Sequence, residues 1–161
     1  MRPLRHGLMI AAAIMILDQI TKWVIIERVM SPPRLIEVTG FFDLVMTWNR
    51  GVSFGMLNRE SDWNVPLLTG LALVIVSGLL VWLRKATTPW IIWAIGLIIG
   101  GALGNVIDRL RFGAVADFLS FHLGGYYWPA FNLADSAISV GAGLLILDSL
   151  FLSKESTKNT P

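Results

Sequence analysis

The sequence predicts an all-α integral membrane protein: four transmembrane helices with a small β layer on the outer face. Three observations carry this expectation. Of the 161 residues, 55% are hydrophobic and only 15% are charged, and mean hydropathy is +0.66, too apolar for a soluble fold of this length. Four apolar runs each approach the roughly 20 residues that a helix needs to cross about 30 Å of hydrocarbon. Between the first two runs lies a stretch rich in β-branched and aromatic residues.

The first span is expected at about 7–26, where Asp18 and Lys22 interrupt an otherwise apolar run. That run leads into Asp18-Gln19-Ile20-Thr21-Lys22 without a small-residue cleavage site, so it reads as a retained helix rather than a cleaved leader. The other spans are expected at about 65–83, 90–107 and 135–152, with Pro66 and Pro89 at first-turn or pre-helix positions. Between them lie outward segments at about 27–64 and 108–134, a cytoplasmic loop at about 84–89, and a polar tail, 153–161, expected to be disordered. The whole chain reads as one membrane domain. In the first outward segment, Leu35–Val38 and Phe41–Trp48 have strand composition, with Thr39-Gly40 as the turn between them. In the second, Gly124-Gly125-Tyr126-Tyr127-Trp128 suits the headgroup layer.

An even number of spans puts both termini on one side. That side holds Arg2, Arg5, Arg84, Lys85, Lys154 and Lys158 in short segments. The other side spreads Arg28, Arg34, Arg50, Arg59, Arg109 and Arg111 over longer ones. The denser side is expected to be cytoplasmic. Composition also removes function classes. With no cysteine there is no disulfide or thiolate chemistry. The two histidines, His6 and His122, are too far apart in sequence to suggest a metal cluster. A net charge of +2 without a basic stripe gives no footprint for nucleic acid.

The polar residues within the apolar runs are the informative ones. At 1.5 Å of rise per residue, Asp18 lies roughly 18 Å and Lys22 roughly 24 Å from the cytoplasmic end; Asn105 and Asp108 lie roughly 22 and 27 Å from Trp90. Asp135 opens the fourth run from the outer side, so the polar groups of three helices share the outer leaflet. Asp18 and Lys22 are spaced i,i+4 and can form an ion pair that fixes packing. The sharper alternative, Lys22 as a base for Ser53 or Ser136, has no motif behind it. Gly96, Gly100 and Gly104 make a bare stripe, matched on the fourth span by Ala137 with Gly141 and Ser139 with Gly143. These faces are expected to pack spans three and four closely, holding Asn105, Asp108 and Asp135 together.

Asp117 and Asp135 stand in apolar-aromatic surroundings on the same face. Singly, one is an ordinary loop carboxylate and the other a helix N-terminal residue favoured by the macrodipole. Sharing a site, they could not both ionise easily, so one would draw a proton from water while the other protonates a carbonyl oxygen. The helix N-terminus makes Asp135 the first choice for the ionised member, with a proton shared by the pair as the alternative.

Five blocks then carry a resemblance: Asp18-Gln19-Ile20-Thr21-Lys22, Asn49-Arg50-Gly51-Val52-Ser53-Phe54-Gly55, Gly100 through Arg109, Val115-Ala116-Asp117-Phe118, and Phe131-Asn132-Leu133-Ala134-Asp135. In this order, over nearly the whole chain, they resemble bacterial lipoprotein signal peptidase (signal peptidase II), a membrane aspartic protease. The resemblance implies a catalytic pair, Asp117 and Asp135, and a substrate held by Asn49, Asn105 and Arg109. Asp18, Lys22, Asp108 and Asn132 would support the site, with Gly51 and Ala134 from the same blocks beside them. It implies a diacylglyceryl prolipoprotein as substrate, cut just before the lipidated cysteine, with the acyl chains left in membrane lipid. It implies neither cofactor nor metal, a β-cradle on the outer face, and a place in the bacterial cytoplasmic membrane, where four spans enclose the site in a monomer. Trp48, Phe54 and Phe118 are expected to shield the site from water. Ala116 departs from the β-branched residue common there. Two other classes compete. A proton-coupled transporter or channel subunit predicts polar groups through the whole bilayer depth, whereas the inner half is nearly bare apart from Asp148. A non-enzymatic lipoprotein adaptor leaves the paired carboxylates without a task.

Overall fold

Four helices form one layer and a four-stranded sheet forms a second, in a computed structural model that describes residues 2–51 and 63–152. Val52 to Gly55 of the second block, Arg59 and the polar tail lie outside the described residues. Helix α1 spans Arg2–Val24 and runs into a π-helical turn, Ile25–Val29. Strands β1 (Ile36–Thr39) and β2 (Phe42–Asn49) follow, then α2 (Asn64–Lys85) and α3 (Pro89–Phe112). Strands β3 (Val115–Leu123) and β4 (Tyr126–Tyr127) precede α4 (Leu133–Leu147), which ends in a second π-helical turn, Asp148–Leu152. Four helices are long and apolar enough to cross a membrane, and their outward side chains, such as Leu8, Ile16, Leu71, Val74 and Ile146, are exposed for lipid.

Helix α3 is central. In its most apolar window 56% of residues are buried, against 22%, 11% and 17% in the others, because it packs on α1, α2 and α4 at once. The glycines explain how. A methyl added at Gly96 or Gly100 would come within 2.9 Å of Gly7 O or 2.6 Å of Ala11 O, and at Gly104 within 2.5 Å of Asp18 Oδ2. The stripe therefore seats α1, not α4 as its composition suggested. Two other glycines join α3 to α4. Gly101 lies against the Ala134 carbonyl, and a Cβ on Gly141 would meet Ala94 O at 2.7 Å. Gly143 faces open space, so the small Ser139–Gly143 face makes no helix contact through it.

Hydropathy ends the third span at Ile107, yet α3 continues to Phe112. Asn105, Asp108 and Arg109 find partners inside the protein, which spares the helix from ending where the apolar run ends. Gly113 then stops it in the left-handed region at φ 67°, with its N–H on Arg109 O at 3.0 Å. The chain turns directly into β3, which the sequence did not reveal as a strand. Val115 to Phe118 are buried on both faces, so the alternation that marks a half-buried strand is missing. The sheet is antiparallel throughout, in the order β1-β2-β3-β4. Gly40-Phe41 turns β1 into β2, one residue later than expected. Gly124 and Gly125, at φ 58° and 87°, make the turn into β4.

Candidate active site

Pairing of β2 with β3 sets the first half of the site. Thr47 lies opposite Asp117 and Asn49 opposite Val115, so Asn49 at the end of β2 reaches sideways and donates through Nδ2 to Asp117 Oδ2 at 3.1 Å. The Gly51 N–H donates to Asn49 Oδ1 at 3.1 Å, which fixes which end of that amide faces Asp117. The other oxygen, Asp117 Oδ1, accepts from Asn132 Nδ2 at 2.7 Å.

Asn132 belongs to the second half. It caps α4: its Oδ1 accepts from Asp135 N at 2.9 Å, and Asp135 Oδ2 accepts from Asn132 N at 3.3 Å, a reciprocal capping box. Asp135 Oδ1 accepts from Asn105 Nδ2 at 2.8 Å. One residue thus touches both carboxyl groups.

Beneath the pair lies a buried polar cluster. Lys22 Nζ is 2.9 Å from Asp18 Oδ2, 2.7 Å from Asp108 Oδ2 and 3.0 Å from Asn105 Oδ1. Asp18 Oδ1 accepts from Ala134 N at 3.0 Å, tying α1 to the start of α4, and Asp108 Oδ2 accepts from Ala116 N at 3.2 Å, tying α3 to β3. Gln19, whose role nothing in the sequence marks, donates to Asp108 Oδ1 at 3.0 Å and to Asp18 Oδ2 at 3.2 Å. The i,i+4 ion pair is present with a second carboxylate added. Ser136 donates to Asn132 O at 2.9 Å, away from Lys22, and Ser53 lies outside the described residues.

A cavity of about 740 Å³ opens over this network. Asp117, Asp135, Asn49, Gly51 and Arg109 line its polar side; Leu68, Trp128, Phe131 and Val140 form much of the rest, with Ser139 among them. Trp48 and Phe118, expected as shields, are not part of its wall. Trp48 packs against Phe112 with the rings tilted and their centroids 5.2 Å apart, and Phe118 is buried in the sheet. Trp128 stood out in the sequence only as a headgroup aromatic, and nothing marked Leu68. Arg109 Nη1 reaches Asn105 O at 3.5 Å, while its Nε is buried without a hydrogen-bond partner. Such a donor is costly unless something else fills it. No cluster of three His, Asp or Glu side chains among the described residues is placed to hold a metal ion.

The electrostatics single out Asp117. Burial, and then the charge of Asp135, push the Asp117 carboxyl up to about 7; the Asn49 and Asn132 amides oppose the shift without cancelling it. An acid poised near neutrality beside a second carboxylate, facing a cavity, can donate a proton while its neighbour accepts one.

Comparison with known proteins agrees with this architecture. The family model described as "Signal peptidase (SPase) II" matches residues 10–151. A lipoprotein signal peptidase from Azoarcus sp. is 49% identical over 155 residues, covering 96% of this chain and 88% of that protein. One from Janthinobacterium sp. is 45% identical over 142 residues, covering 88% and 86%. A solved structure described as a bacterial membrane enzyme, determined by the in meso method at 2.3 Å resolution, superposes with TM-score 0.79 at 30% identity. It covers 96% of this chain and 91% of that one.

Proposed function

The chain belongs to the signal peptidase II family, aspartic-type membrane peptidases that remove signal peptides from lipoproteins, and on that premise we propose that Asp117 and Asp135 are its catalytic pair. The observation that carries the reading is that Asn132 donates to both carboxyl groups at the wall of one cavity, to Asp117 through its side-chain Nδ2 and to Asp135 through its backbone N–H. Asp135, at a helix N-terminus, serves as the ionised base, and Asp117, with its raised affinity for a proton, as the neutral acid.

Water between them loses a proton to Asp135, and its oxygen bonds to the scissile carbonyl carbon as Asp117 protonates the carbonyl oxygen. The resulting diol then collapses. The C–N bond breaks, Asp135 passes its proton to the leaving amine nitrogen, and Asp117 recovers one from a diol hydroxyl. Atoms balance without a covalent enzyme intermediate. The substrate is a diacylglyceryl prolipoprotein cut just before the lipidated cysteine, its acyl chains remaining in the bilayer. Arg109 and Asn49, both on the cavity wall, orient the substrate backbone.

The chain acts as a single membrane domain and a monomer in the bacterial cytoplasmic membrane. Its termini are cytoplasmic and its site lies toward the outer leaflet, in line with the density of Lys and Arg near the termini. Replacing Asp117 or Asp135 by Asn tests the pair. Processing of a diacylated prolipoprotein should fall by at least about 10³-fold, the upper range for lost acid–base catalysis, while the protein still inserts. Near-normal cleavage by either variant removes the assignment.

A further inference from the structure

Lys22 is buried at 2% exposure, and no step of peptide cleavage calls for it. Its ammonium has three N–H donors and no acceptor. Two donors meet Asp18 and Asp108, more than enough acid to offset one positive charge. The third meets a neutral amide oxygen, Asn105 Oδ1, at 3.0 Å. That oxygen also receives Asn132 Nδ2 at 3.2 Å. Two donors therefore point at one end of the Asn105 amide, and the NH₂ end must face the other way, where it donates to Asp135 Oδ1 at 2.8 Å. Half a turn of this amide would set its NH₂ against the ammonium and against a second NH₂. It would also set its oxygen against the Asp135 carboxylate. All three contacts would become repulsive.

We propose that Lys22 is a positioning residue for cleavage: its ammonium holds the Asn105 amide in the one orientation that keeps an N–H donor on Asp135. Asp18, Asp108 and Gln19 hold the ammonium in place, and Asn105 passes its orientation to the site wall. Without that hold, only the longer Asn132 Nδ2 contact at 3.2 Å opposes a turn of the amide oxygen toward Asp135, which would cost the carboxylate a donor. The inference rests on Asp135 as the water-activating group.

Steady-state cleavage of a diacylated prolipoprotein by Lys22→Gln, Asn105→Ala and the double variant tests it. Glutamine can both donate and accept, so it no longer dictates the orientation of Asn105. Lys22→Gln should lower kcat about 30-fold with KM changed less than about 3-fold, and cost less than about 3-fold more once Asn105 is alanine. Asn105→Asp is the second arm. It leaves Lys22 fully paired and the cluster folded, but puts an oxygen where Nδ2 was, and its kcat should fall as far as that of Asn105→Ala. Equal losses from Lys22→Gln in both backgrounds, a loss in KM alone, or near-normal kcat in Asn105→Asp overturns the role. Asp135→Asn, assayed alongside, separates the two failures. Cleavage retained there removes the catalytic pair itself, whereas an inactive Asp135→Asn with Lys22 and Asn105 uncoupled removes only this role for Lys22.

Discussion

Asn132 donates to Asp117 Oδ1 at 2.7 Å while capping the helix that carries Asp135, so one side chain spans the joint between sheet and bundle. Its amide oxygen is committed to the Asp135 N–H, which leaves Nδ2 to serve Asp117, Asn105 and the Ala116 carbonyl. A capping residue is usually worth only its cap. Here it also bonds to two carboxyl groups that arrive from different layers of the fold.

Cap and link can be separated. Asn132→Ala should lower stability by about 1–2 kcal/mol, the cost of a lost N-cap, while cutting activity by roughly 100-fold. Asn132→Ser keeps an N-cap oxygen but has no amide to donate to Asp117 Oδ1, so stability should recover relative to alanine and activity should not. Thermal unfolding in detergent and the cleavage rate read the two effects. A common response in both would reduce Asn132 to a cap.

The raised Asp117 carboxyl predicts a pH limb. Below about 7 it holds the proton that the acid role requires; above about 7 it ionises beside Asp135, and kcat should fall. The stability sign follows from the same shift. Between the ordinary value of 3.8 and about 7, the unfolded chain has lost this proton and the folded chain has kept it. Stability relative to Asp117→Asn is therefore greatest near pH 4 and falls as pH rises to 7, by an amount on the order of 4 kcal/mol. A pH–rate profile and unfolding curves at several pH values test both. A rate that is flat or rising from pH 7 to 9 would count against Asp117 as the acid.

The small-residue stripe makes a packing prediction. Gly104→Ala would press a methyl to 2.5 Å from Asp18 Oδ2, inside the Lys22 cluster, whereas nothing lies within 4 Å of a Cβ at Gly143. Gly104→Ala should destabilise by roughly 1–3 kcal/mol and weaken cleavage, because the displaced carboxylate also holds the Ala134 N–H. Gly143→Ala should be neutral or stabilising by up to about 1 kcal/mol from helix propensity. Equal melting temperatures for the two variants would refute the close α1–α3 contact.

The family-defining features were legible in the residues because they are one-dimensional. Hydropathy exposes four spans, strand composition exposes β1 and β2, and carboxylates stand out when their neighbours are apolar. The i,i+4 spacing of Asp18 and Lys22 announces an ion pair because helix geometry is local. Strand β3 was not legible, since burial on both faces erases its alternation. Nor was the partner of the glycine stripe, because a bare helix face looks the same whichever helix comes to meet it.

The residue order alone specifies a four-span membrane protein with a β layer, and marks the acids that stand out from their apolar surroundings. It took the packed chain to bring Asn49 to Asp117 across a strand pair, Asn132 to both carboxyl groups, and the Asn105 amide between Lys22 and Asp135. Local pattern records what each segment prefers alone. Hydrogen bonds between residues dozens of positions apart exist only once packing has chosen which segments are neighbours.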